Sequence, residues 1–175
     1  MSSLRSFIIS AVFLFTFIST AQEGLMVAMG PTVTSSTSLT GINLRAYLGT
    51  SPTFCFGPEV SVFPYQTTSD EYETNLFEVN FNAHYVFELA HRFGVYPLSG
   101  FNYTNENERS LMHSDEVEKH NALGINYGLG THYSINRVLL FAEFKGVISE
   151  LSDEFFTIGA VILLKKPQKK LHHEQ

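Results

Sequence analysis

Few residues in this chain have the type and spacing to do chemistry. His132-Tyr133-Ser134 places a histidine two residues before a serine, the pairing in which an imidazole can activate a hydroxyl as a nucleophile. Glu143 and Lys145 stand two apart, so on a strand they share a face. The stretch Thr104–Asn121 carries Glu106, Glu108, Asp115, Glu116 and Glu118 against Arg109 and Lys119, with His113 and His120. Carboxylates so spaced can hold Ca²⁺ loosely, yet no EF-hand pattern is present, and the plainer reading is a solvated loop. Cys55 is the single cysteine, which leaves no partner for an intramolecular disulfide and no cysteine-based metal cluster. Its plainer reading is a small buried residue. His172-His173 at the end offers at most weak metal binding. No cofactor, metal or catalytic centre is expected from this set.

The elements that position these residues read as strands. Asn75 to Leu89 runs NLFEVNFNAHYVFEL. Phe77, Val79, Phe81, Ala83, Tyr85, Phe87 and Leu89 alternate with Glu78, Asn80, Asn82, His84, Val86 and Glu88. Alternation of period two gives a strand with one apolar and one polar face. Seven further segments follow suit: 24–34, 41–49, 54–65, 93–103, 122–134, 138–149 and 154–164. Arg45 falls on the polar face of the second, Glu59 on that of the third, Asn126 and His132 on that of the sixth, and Glu143 and Lys145 on that of the seventh. The parity of 93–103 is ambiguous. Nothing sustains helical spacing, so the chain reads as all-β. The connections after strands two, four and six are short, and those after three and five are long and polar. That alternation fits an up-and-down antiparallel barrel of eight strands crossing a membrane, with short periplasmic turns and longer outer loops.

Composition agrees. Charged residues are 16% of the chain, below the usual quarter of a soluble domain, while sixteen Phe and eight Tyr are present. Residues 1–21, with Arg5, the apolar run Phe7–Ile18 and the small residues Ser19 and Ala21, read as a cleaved secretory signal. Losing them removes only Arg5, so the formal charge of −6 becomes −7. An acidic body argues against nucleic acid as a partner. The barrel domain is expected over 22–164, followed by a basic, disordered periplasmic tail over 165–175.

Periodicity alone does not say which face is inside. The apolar face carries large side chains on nearly every strand, too many to fit inside eight strands. The polar face is rich in Gly, Asn and Ser, which suits a narrow packed lumen. The lumen is therefore expected to hold a network of Arg45, Glu59, Glu78, Asn80, Asn82, His84, Asn126, His132, Glu143 and Lys145, centred on the five charged groups. Its job is to plug and specify the barrel, with a small pore or proton-sensitive gate as the functional alternative. Phe77, Val79, Phe81, Tyr85, Phe87, Leu123, Ile125, Tyr127, Leu129, Leu140 and Phe144 are expected to face lipid. A soluble lipocalin-like barrel holding a small apolar ligand is the competing reading, and it requires the faces reversed.

Phe77–Phe87, Val95–Thr104, Leu123–Ile135 and Leu139–Ser149, taken in order, resemble small outer-membrane barrels of the OmpX and OmpA transmembrane-domain type. The chain looks most similar to the short variants of Bacteroidetes-like bacteria, with a PorT-like group as a more distant likeness. The resemblance implies export, insertion by the barrel-assembly machinery, contact with outer-membrane lipid, and a non-enzymatic role in envelope integrity, adhesion or assembly. An extracellular or envelope protein partner would meet the loop 104–121. Some barrels of this size deacylate lipid A through a His-x-Ser motif. Here His132 and Ser134 are expected on the lumen face at the periplasmic end, away from outer-leaflet lipid. One departure is the end of the last strand, which lacks the usual closing aromatic and runs on into KKPQKKLHHEQ.

Overall fold

The computed structural model describes residues 24–112 and 117–164. The expected signal segment, the basic tail and His113 lie outside these residues. Eight antiparallel strands form one closed sheet: β1 Gly24–Thr34, β2 Thr40–Ser51, β3 Phe54–Thr67, β4 Tyr72–Tyr85 continuing as Phe87–Ala90, β5 Phe93–Ser110, β6 Val117–Ile135, β7 Val138–Ile148 and β8 Glu154–Leu163. Each strand pairs with the next, and β1 closes on β8 through Met26↔Leu163 to Thr34↔Phe155. Closure leaves no unpaired sheet edge, a requirement for strands that cross lipid.

The faces settle which barrel this is. Leu123, Phe101 and Leu129 point outward with 80%, 73% and 67% of their surface exposed, while Glu78, Asn82 and Asn126 point inward with none. A soluble barrel has the opposite arrangement, so the lipocalin-like reading fails. On β4 the outward row from Phe77 to Phe87 spans ten residue steps, about 33 Å along the strand and about 25 Å once a tilt of roughly 40° is allowed for. That matches the apolar height of a bilayer.

Three expectations are corrected. The stretch Thr104–Asn121 is not a long loop among its described residues. β5 and β6 continue their ladder from Thr104↔Ala122 up to Arg109↔Val117, so a two-stranded hairpin stands above the barrel. The polar stretch after β3 is likewise partly strand, with Gln66↔Thr74 and Thr67↔Glu73 in register. Both were hidden because above the membrane each strand is polar on both faces, which erases the alternation. Finally, β4 is interrupted at Val86, whose N–H turns aside to bond the Thr53 carbonyl at 2.7 Å. The ambiguous fifth strand turns Tyr96, Leu98 and Asn102 inward.

Candidate functional site: the layered lumen

The lumen is filled in three layers. The upper one, at the end of the hairpin, is apolar: Leu39, Phe63, Leu76, Val147 and Phe155 pack together, with the Phe63 and Phe155 rings 5.9 Å apart. Its residues are inward-facing positions near the strand ends, and Leu39 comes from the β1–β2 connection.

The middle layer is ionic. Cross-strand register sets Arg45 against Glu59 on β2 and β3. Arg45 Nη1 donates to Glu143 Oε2 at 2.9 Å, and Arg45 Nε lies 3.4 Å from Glu59 Oε2. Lys145 Nζ donates to Glu59 Oε1 at 3.1 Å and to Glu78 Oε2 at 3.2 Å. All five groups are buried, and a buried charge is tolerable only when paired. Counted at full ionisation, three carboxylates face two cations, an excess of one negative charge. Neutral donors offset it: Tyr47 O–H to Glu59 at 2.9 Å, Tyr96 O–H to Glu143 at 3.0 Å and Asn102 Nδ2 to Glu78 at 2.9 Å. The cations also bind the layers together. Lys145 Nζ sits 4.8 Å from the Phe155 ring above, and the Arg45 guanidinium 4.5 Å from the Phe141 ring below.

Beside the ions lies an amide cluster. Asn126 Nδ2 donates to Asn80 at 2.9 Å and to Asn82 at 2.7 Å, and Asn102 donates to Asn80 at 2.8 Å. Asn126 and His132 make no hydrogen bond or ion pair with the five charged groups, because Glu143 and Lys145 pair across the strand with Gly130 and Gly128 instead. Gly130 matters for a further reason. A Cβ there would fall 2.2 Å from the Tyr96 ring, so the missing side chain is what lets Tyr96 lie across the strand and reach Glu143.

The lower layer is built of rings. His84 lies 4.6 Å from the Tyr47 ring and stacks on Tyr96 at 4.9 Å, and Tyr96 in turn faces His132 at 6.3 Å. His132 Nε2 is 3.3 Å from Glu88 Oε1 but out of line for a hydrogen bond. Beneath these rings is a cavity of about 260 Å³ opening at the end where the described termini lie. Cys55 is on its wall and is buried. His132 Nε2 makes no hydrogen bond to Ser134. Tyr47, two residues after Arg45, shares the polar face of its strand. Tyr96 and Asn102 were missed, since Pro97 and Gly100 blur the parity around them.

Every residue expected to face lipid lies exposed on the outer surface. Above that surface the outward face changes abruptly. Phe77 gives way to Asn75, Tyr103 to Asn105 and Asn107, and Leu123 to Asn121. These amides bond in a row: Asn105 Nδ2 to Asn121 at 2.7 Å, Asn107 Nδ2 to Asn105 at 2.9 Å and to Asn75 at 2.8 Å, with Tyr103 O–H to Asn121 at 2.9 Å. Higher up, Arg109 pairs with Glu73 and lies 4.5 Å over the Tyr65 ring. Glu106 is held above the usual carboxylate range by partial burial and by neighbouring Glu108. Glu108, Glu118 and His120 bring their ligand atoms within 4.8 Å of one another, mostly exposed, and without a buried group to complete a metal site.

The sequence matches no protein-family model and no curated protein. Solved structures do match the fold. Ail, the attachment invasion locus protein of Yersinia pestis, is 14% identical with a TM-score of 0.60, over 81% of this chain and 99% of that one. The N-terminal barrel domain of Pseudomonas aeruginosa OprF is 15% identical with a TM-score of 0.61, over 81% and 98%. The outer membrane protein OprG of the same organism is 11% identical with a TM-score of 0.65, over 82% and 97%. The apolar outer surface and the closed barrel, in the fold those proteins share, assign this chain to the bacterial outer membrane.

Proposed function

We propose that this barrel serves the outer membrane as a non-enzymatic structural and surface-presenting protein rather than as a pore. One observation carries this reading: the lumen is filled across its width by the ionic layer, with an apolar layer over it. An ion entering from the hairpin side would meet the packed rings of Phe63 and Phe155 before reaching any charge. The buried network of Arg45, Glu59, Glu78, Glu143 and Lys145, with the amides of Asn80, Asn82 and Asn126, then acts as an internal tie between strands far apart in sequence. The lipid-facing row from Phe77 to Phe87 anchors it, and insertion would use the barrel-assembly machinery.

Within that role, the β5–β6 hairpin is the surface for an extracellular or envelope partner, and adhesion is the function it suits best. Ail, with the same fold, is by its name an attachment protein. The test is conductance in planar bilayers. The unmodified protein should give no channel steps, and steady steps would overturn the proposal. Glu143→Gln with Lys145→Met should open measurable conductance if the ionic layer is the seal. Excising 105–120 and measuring surface adhesion tests the hairpin: adhesion unchanged by the excision dismisses it as the adhesive element.

A further inference from the structure

The lower cavity has two kinds of wall. Met26, Leu139, Phe141 and Val161 make it apolar. Arg45 and His84 also line it, each is at least nine-tenths buried, and each has a nitrogen without a partner, Nη2 and Nε2, while His132 Nε2 faces the lining carboxylate of Glu88 at 3.3 Å. Buried polar atoms are nearly always satisfied, so two such orphans on one cavity wall call for an occupant with a matching atom. Arg45 Nη2 can only donate, so the matching atom is an acceptor. Its charge follows from the layer above. The two carboxylates that hold Arg45 lie behind the guanidinium, and the ionic layer already carries one negative charge in excess. A carboxylate brought next to it would add a second. An uncharged carbonyl or ether oxygen satisfies the donor without that repulsion.

We propose that this vestibule is a binding site for a small, largely apolar molecule bearing one uncharged hydrogen-bond acceptor. A cavity of 150 Å³ takes benzene, so about 260 Å³ admits a substituted ring of this kind. The acceptor sits toward Arg45 and His84, and the apolar body lies against Phe141, Leu139 and Val161 near the opening.

The experiment uses the full-length protein in nanodiscs, with acetophenone as the probe and the imidazole signals of His84 and His132 as the readout. Free aqueous probe concentrations are matched throughout. Acetophenone should shift both signals saturably, with a dissociation constant of about 1 mM or below. α-Methylstyrene, of the same shape but without the oxygen, should bind about three- to tenfold more weakly, the worth of one net hydrogen bond. Benzoate should bind more weakly than acetophenone. Val161→Phe, which fills the cavity from an inward position, should abolish the shift while the barrel still folds, as judged by its heat-modifiable gel mobility. The proposal is overturned if no saturable shift occurs, if α-methylstyrene binds as well as acetophenone, if benzoate binds better, or if the shift survives in folded Val161→Phe.

Discussion

Lys145 Nζ, in the middle of the lumen, has two carboxylates in hydrogen-bond range, whereas His84 Nε2, in the layer below, has no partner. Both side chains are buried. In the middle layer every charged group has an oppositely charged partner, and only Arg45 Nη2 among the charged atoms is left open, toward the cavity below. The lower layer is held by stacking of rings, which fixes positions without consuming polar atoms. The difference separates two uses of a polar interior. A layer whose charges pair with one another ties the barrel together, and one that leaves polar atoms open beside a cavity is equipped to meet something else.

Substitutions in the two layers should therefore differ in cost. Lys145→Met leaves Glu78 without a cation and Glu59 with Arg45 alone, and raises the excess of buried negative charge, so a loss of about 3–5 kcal/mol is expected in urea unfolding in bilayers. A smaller loss there would mean water or a proton replaces the lysine easily. Leu129→Arg, on the outer face, provides a scale from outside the lumen. Near the bilayer midplane it should cost about 2–4 kcal/mol by the same measurement.

Glu143→Gln removes the excess charge along with one partner of Arg45. Its cost should be nearer 1–3 kcal/mol, below that of Lys145→Met. If the two proved equal, the charge count would not be governing stability. His84→Ala breaks no hydrogen bond and should cost about 1 kcal/mol, mostly through lost stacking on Tyr47 and Tyr96. A cost matching Lys145→Met would erase the distinction between the layers.

The smallest effect lies above the membrane. Glu106 has a folded-state pKa above its unfolded value, because of burial and then Glu108. The folded hairpin thus binds that proton more tightly. Its contribution is unfavourable once pH exceeds both values and fades as pH falls through them. Acidification should slightly tighten the hairpin, seen as stronger cross-strand NOEs between Glu106 and His120, and Glu106→Gln should remove that pH dependence.

Much of this was legible in the order of residues. Alternation over Phe77–Leu89 and Leu123–Ser134 located strands and their faces, since one face meets lipid and the other does not. Arg45 and Glu59 could be set side by side because β2 and β3 are joined by a short turn. The hairpin escaped notice because Asn105, Glu106, Asn107 and Glu108 are polar whichever way they point. The apolar upper layer escaped for the opposite reason: Leu76 and Phe155 look like neighbours of the outer surface until the backbone shows them turned inward. Val86 did leave a signal, as the one apolar residue in a polar row, and the strand is interrupted there.

The asparagine row has a geometric consequence. Where the outer face passes from Phe77, Tyr103 and Leu123 to amides bonded to one another, it ceases to suit hydrocarbon. It is a waterline drawn on the protein. From Asn105 to Ser110 the strand rises five residues further, about 17 Å of reach above that line. Because the row joins β4, β5 and β6, the hairpin stands on three strands at its base and cannot easily lie down on the membrane. Whatever it meets must be met at that height.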